Sequence, residues 1–104
     1  MKNEFGNELD RNQYADSILQ DTERCYLCGR TYRLQRHEVY NAAYRTKSKR
    51  LGCWVLLCAE CHHDITHINA DRRIALKQES QLKVMDFYGI SEDEFRQYFG
   101  KSYL

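Results

Sequence analysis

The 104-residue sequence predicts one small α+β domain whose folding depends on a cross-link, and three observations predict it. The chain is 42% hydrophobic and 12% aromatic with no proline, which argues for a packed core rather than disorder. At this length, however, apolar burial set against about 1.5 kcal/mol of conformational entropy per ordered residue leaves little surplus. Four of the five cysteines form two C-x-x-C pairs, Cys25/Cys28 and Cys58/Cys61, and these supply the means of a cross-link. Strand-like segments also precede helix-like ones, in the order hairpin, loop, strand, helix, helix.

Each element has a local reason. Residues 8–20, ELDRNQYADSILQ, read as a weakly amphipathic helix with Tyr14 and Ile18 one turn apart, so residues 1–23 form an N-terminal helical extension. RCYLCGRTYRLQRHEVY places C-x-x-C and Gly29 before an extended segment, a tight knuckle leading into a strand. NAAYRTKSKRLG is a polar connector ended by Gly52. CWVLLC is a short apolar run of β-type residues, a buried strand that delivers Cys58. Helix-favouring residues begin at Cys61. A longer helix is expected over Ala70–Tyr88, with Ile74, Gln78, Leu82 and Met85 on one face, Phe87 beside them and Gly89 as its stop. Ser91 with Glu94 makes a capping box and Ile90 with Phe95 a hydrophobic staple, so a last helix should run to about Gly100 with Phe95, Tyr98 and Phe99 in the core.

Composition narrows the setting. No apolar run approaches the ~20 residues of a membrane span, and MKNEFGNELD lacks the apolar centre of a signal peptide, so a cytoplasmic chain without membrane association is expected. The net charge of +1 conceals a basic middle: Arg30, Arg33, Arg36, Arg45, Lys47, Lys49 and Arg50 face only Glu38 as an acid between positions 30 and 50. Such a stripe inside a neutral whole suits a polyanion, or else is a solvated loop.

The cysteine pairs lie 29 residues apart, and each has the spacing that lets two thiolates reach one tetrahedral ion at about 2.3 Å. In a reducing compartment this arrangement points to a closed structural zinc site formed by Cys25, Cys28, Cys58 and Cys61. Cys53, in GCWVLL, reads as a small buried residue. With the zinc satisfied by sulfur, His62, His63 and His67 remain, and three imidazoles within six residues suggest a second metal. On a helix His63 and His67 share a face; His62 and His67 would meet only where the turn loosens. His37 and Glu38 add candidates from the strand, and Glu38, the one acid of the basic stripe, could serve a metal or activate a water.

Taken together, C-x-x-C, RHEVYNAAYRTKS, LLCAECHHDITH and the closing YFGKSYL resemble the HNH endonucleases of the ββα-metal type, in particular a small phage and prophage group with a four-cysteine zinc. The resemblance covers residues 24–104 and implies a treble-clef-like HNH nuclease domain with flanking helices. By it, Cys25, Cys28, Cys58 and Cys61 match the structural zinc ligands, and His62 and His67 match the histidines that help hold the catalytic ion, with His63 as the rival of His62. His37 falls where a metal ligand usually sits and Glu38 where the general-base histidine usually sits. Either Glu38 is the base, with a pKa raised toward neutrality, or His37 is the base and a ligand is lacking. Tyr44 precedes Arg45 where relatives carry Asn-Arg.

The function implied is metal-dependent hydrolysis of phosphodiesters in DNA, most naturally double-stranded, with Mg, Mn or another divalent ion between His37, His62 and His67. Arg45, Lys47, Lys49 and Arg50 would contact phosphates, which position a strand without reading its sequence, so low sequence selectivity is expected. The phage setting of relatives suggests packaging proteins as partners. The alternative is a non-catalytic zinc-finger module on the same scaffold that binds DNA or a protein.

Overall fold

The computed structural model describes all of residues 1–104. Two strands, β1 (Leu34–Glu38) and β2 (Trp54–Cys58), pair antiparallel in the register Leu34 with Cys58 and His37 with Val55. Four α-helices follow or intervene: α1 (Arg45–Arg50), α2 (Ala59–His63), α3 (Ala70–Tyr88) and α4 (Glu92–Phe99). A one-turn 3-10 helix (Ala42–Tyr44) precedes α1, and a π-helical stretch (Asp64–Ile68) continues α2 toward α3. None of these helices is long and apolar enough to cross a membrane.

The strands arise where β-type residues cluster, and their two-residue period sorts the side chains. Val55 and Leu57, both fully buried, share one face with His37, while Trp54 and Leu56 share the other with Arg36 and Glu38. The first face meets the helices. Tyr40, just past β1, packs its ring against Phe95, Phe99 and Tyr103, at 5.4, 4.5 and 5.4 Å between centroids, and its hydroxyl donates to the Lys77 carbonyl at 2.7 Å. The helix ends follow their sequence signals: Asn69 accepts from the Arg72 amide, Gly89 closes α3 in a left-handed conformation, and Ser91 and Glu94 complete the capping box of α4. Ile90 and Phe95 are both buried, as a staple requires.

Three expectations are corrected. Residues 8–20 contain no helix. Asp10 Oδ1 accepts from the backbone amides of Asn12 and Tyr14, Asp10 N donates to the Tyr14 carbonyl and Gln13 takes a positive φ of 70°, so a side-chain-anchored turn outcompetes the helix. The segment instead lies against the second face of the sheet. The Ala15 amide donates to the Lys49 carbonyl at 2.9 Å, the Ile18 amide to Gly52 at 3.0 Å and the Trp54 indole to the Ala15 carbonyl at 2.8 Å.

The polar connector, in turn, is partly helical, since 41–50 holds the 3-10 turn and α1; Ser48 Oγ anchors it by donating to the Tyr40 carbonyl at 2.6 Å and accepting from the Tyr40 amide at 3.1 Å. Finally, α3 buries Leu76, Ser80, Gln81 and Val84, leaving Ile74, Leu82 and Phe87 exposed. Polar Gln81 can sit in the core because its amide group donates to Ser102 Oγ at 2.9 Å and accepts from the Tyr103 amide at 2.7 Å.

Gly52 shows how tightly the N-terminal segment is seated. It has a φ of +72°, and a β-carbon there would overlap the Asp16 carbonyl oxygen and approach Ile18 Cγ2 at 3.2 Å. Gly6 has φ +87° with nothing near it. We expect Gly6→Ala to lose about 1 kcal/mol, the conformational penalty alone, and Gly52→Ala to lose about 3 kcal/mol by adding the clash. Urea unfolding of the two variants checks this difference; equal losses would show the segment to be loosely held.

Candidate functional site

The four cysteines of the C-x-x-C pairs converge. Their sulfurs all lie within 4.8 Å of one another, and Cys28 Sγ stands 3.7 Å from Cys58 Sγ. Four thiolates around one ion at about 2.3 Å have edges of about 3.8 Å, so the cluster fits a tetrahedral metal such as zinc. Each pair is delivered by a tight turn. The Gly29 amide returns to the Cys25 carbonyl at 2.8 Å with Gly29 at φ +80°, and Cys58 ends β2 so that Cys61 falls in the first turn of α2. Arg30 and Glu60 form an ion pair between the two turns. Before an ion binds, the thiols share their protons unequally: burial opposes the charged form of Cys25, but contacts with the Cys58, Cys28 and Leu27 backbones overcome it and lower that thiol, whereas burial and the neighbouring sulfurs push the Cys61 thiol up. Cys53, completely buried away from the cluster, has its thiol pushed up by burial alone.

A second feature lies where β1 meets α2. His37 and His62 face each other edge-on with ring centroids 5.3 Å apart. They line an open cleft of about 510 Å³ together with Glu38, Arg45, Asn41 and Thr66. Two imidazoles on one ion at about 2.1 Å would hold their ring centres about 5 Å apart, which is the spacing of this pair, while the cysteine cluster is the one group of three or more ligand side chains whose donor atoms converge. His37 is buried; that burial, with His62 beside it, lowers its pKa to about 4, so its ring is neutral with a lone pair to offer at neutral pH.

The remaining sequence-selected residues are placed differently. His67 does not join this pair: it lies against His63, 5.1 Å between centroids, and both are exposed. Spacing alone had favoured that partnership. Glu38 is adjacent to His37 on a strand and so turns to the other face. Its Oε1 accepts from the Tyr14 hydroxyl at 2.6 Å and from Arg45 Nε at 3.0 Å. Burial works against the carboxylate, but these two donors outweigh it and hold its pKa below the usual range, the opposite of what a base at neutral pH needs. Of the basic residues, Arg45 and Lys47 are exposed, Lys49 stands 4.7 Å over the Tyr14 ring, and Arg50 is taken up by Gln13 at 3.1 Å and Glu4 at 3.5 Å.

Two residues escaped the sequence reading. Tyr14 lies 24 positions from Glu38, and no local signal connects them. Thr66 stands four residues after His62, a spacing that places both on one side of a helix. A larger cavity of about 750 Å³ lies on the other side of the sheet near Trp54, but Asp16, Asp21 and Glu23 rim it and would repel a polyanion. No protein-family model, curated protein or solved structure matches this chain.

Two outcomes follow from this geometry. Chelation of the metal should unfold the chain, because a structural zinc site carries on the order of 10 kcal/mol of folding free energy. Circular dichroism during chelation, with metal counted before and after, checks it. Cys58→Ser should lose the ion and Cys53→Ala keep it. For the carboxylate, a Tyr14→Phe, Glu38→Gln double-mutant cycle should give about 2 kcal/mol of coupling at neutral pH. Because the folded pKa of Glu38 is lowered, that coupling is complete above the unfolded value of about 4.3 and disappears as pH falls through the folded one. A cycle that gives no coupling would separate the two groups.

Proposed function

We propose that this chain is a metal-dependent nuclease of the HNH, ββα-metal type, hydrolysing phosphodiester bonds in DNA. The observation that carries the reading is the His37–His62 pair: an imidazole from β1 and one from α2, the helix that directly follows β2, face each other at an open cleft. A divalent ion bound there would polarise a phosphate oxygen and lower the pKa of a water. His37, neutral in its buried position, offers a lone pair, and His62 approaches from α2. Arg45 stands at the rim with its Nε fixed by Glu38, so its remaining donors can meet a phosphate; Lys47, two residues on, lines a different hollow beside Glu4 and Glu94. In this reading Glu38 positions Arg45 and does not move protons.

One observation favours a second reading, a non-catalytic zinc module that binds nucleic acid or protein: His67 pairs with His63 instead of entering the cleft. Plasmid nicking with Mg, Mn or Ni separates the two. The nuclease reading expects relaxed circles from the wild type and a loss of at least about 100-fold in His37→Ala and His62→Ala, each still holding its zinc. DNA binding without cleavage in any metal would establish the second reading, and undiminished cleavage by His37→Ala would remove the site.

A further inference from the structure

Resting on the reading of the cleft as an ion site, we propose that the Thr66 hydroxyl is the third protein group on that ion, beside His37 and His62. Thr66 Oγ1 is the one buried side-chain nitrogen or oxygen in the chain with no hydrogen-bond partner. Buried hydroxyls ordinarily find partners, and a helical threonine usually returns its hydroxyl to the carbonyl one turn back. Here that bond is not made, and the residue lines the same cleft as the two imidazoles.

The backbone explains how the hydroxyl is held. Thr66 lies in the π-helical stretch Asp64–Ile68, a widened turn of the kind that recurs at functional sites. The carbonyls of Ile65 and Thr66 both accept from Arg73 Nη1 at 3.2 Å, which pins the turn from α3. Thr66 follows His62 by four residues, whereas the next residue, His67, is directed to His63. The third position that His67 leaves is therefore supplied by oxygen.

Two imidazole nitrogens and one hydroxyl oxygen define the chemistry. The oxygen donor admits Mn²⁺, the two imidazoles would also take Zn²⁺ or Ni²⁺, and three uncharged ligands leave the full positive charge facing the cleft beside Arg45. The four thiolates take the first equivalent of zinc, so Mn²⁺ is added to chain that carries one zinc.

The experiment is Mn²⁺ titration of the zinc-loaded full chain, followed by the electron paramagnetic resonance of free Mn²⁺, with the thermal midpoint recorded for every variant. Thr66→Val should weaken binding about tenfold or more, Thr66→Ser should bind nearly as the wild type does, and His67→Ala should leave affinity unchanged. The midpoint of Thr66→Val should equal or exceed that of the wild type, because valine removes an unpaired buried hydroxyl at constant shape. Wild-type affinity in Thr66→Val, loss of binding in His67→Ala, or no Mn²⁺ uptake by the wild type would each overturn the assignment. Nicking assays on the same proteins keep the two ideas apart. Thr66-dependent Mn²⁺ binding without cleavage overturns the nuclease reading alone; cleavage with Mn²⁺ affinity indifferent to Thr66 overturns the threonine alone.

Discussion

The convergence of four cysteine sulfurs is the constraint on which the rest of the chain depends. One pair sits in a turn before β1 and the other spans the junction of β2 and α2, so closing the cluster sets the end of the hairpin against the start of a helix. A two-stranded sheet has marginal stability of its own, and 104 residues bury a limited core. A metal held by those sulfurs links segments about 30 residues apart in one step. The cleft inherits its geometry from that linkage: Cys61 and His62 are neighbours, so whatever orients the sulfur also orients the imidazole.

Polar wiring finishes what the cysteines begin. The N-terminal segment has few apolar residues to bury, yet it covers the second face of the sheet through backbone bonds to Lys49 and Gly52 and through the Trp54 indole. Tyr14 then reaches Glu38, which holds Arg45. A residue in the first twenty thus helps aim a cation at the rim of the cleft. Strand parity turns the adjacent His37 and Glu38 to different faces, yet at the end of β1 both border the same cleft.

The histidines divide by the same kind of local geometry. His62 is carried toward β1 by α2, and the widened turn that follows sends Thr66 to the cleft and His67 to His63. Four-residue spacing thus pairs His63 with His67 and sets Thr66 beneath His62, and the π-helical turn does not bring His67 round to His62.

By itself the sequence determined the elements whose causes are local. Both C-x-x-C turns, the apolar strand at 54–58, the stop at Gly89 and the capping box at Ser91 each depend on residues within a few positions of one another, and all stand where their residue types put them. Tertiary structure decided matters that hinge on distant partners. Residues 8–20 gave up a weak helical pattern to an Asp10 turn and the edge of β2; α3 turned Gln81 inward because Ser102 and Tyr103 could satisfy it, leaving Ile74 and Leu82 outside. Within the site, the nearness of His62 to His37 and the grip of Tyr14 on Glu38 arise only when strand, helix and N-terminal segment are packed. Spacing along a chain reports which side chains share a face, and it carries no information on what another segment will bring to that face.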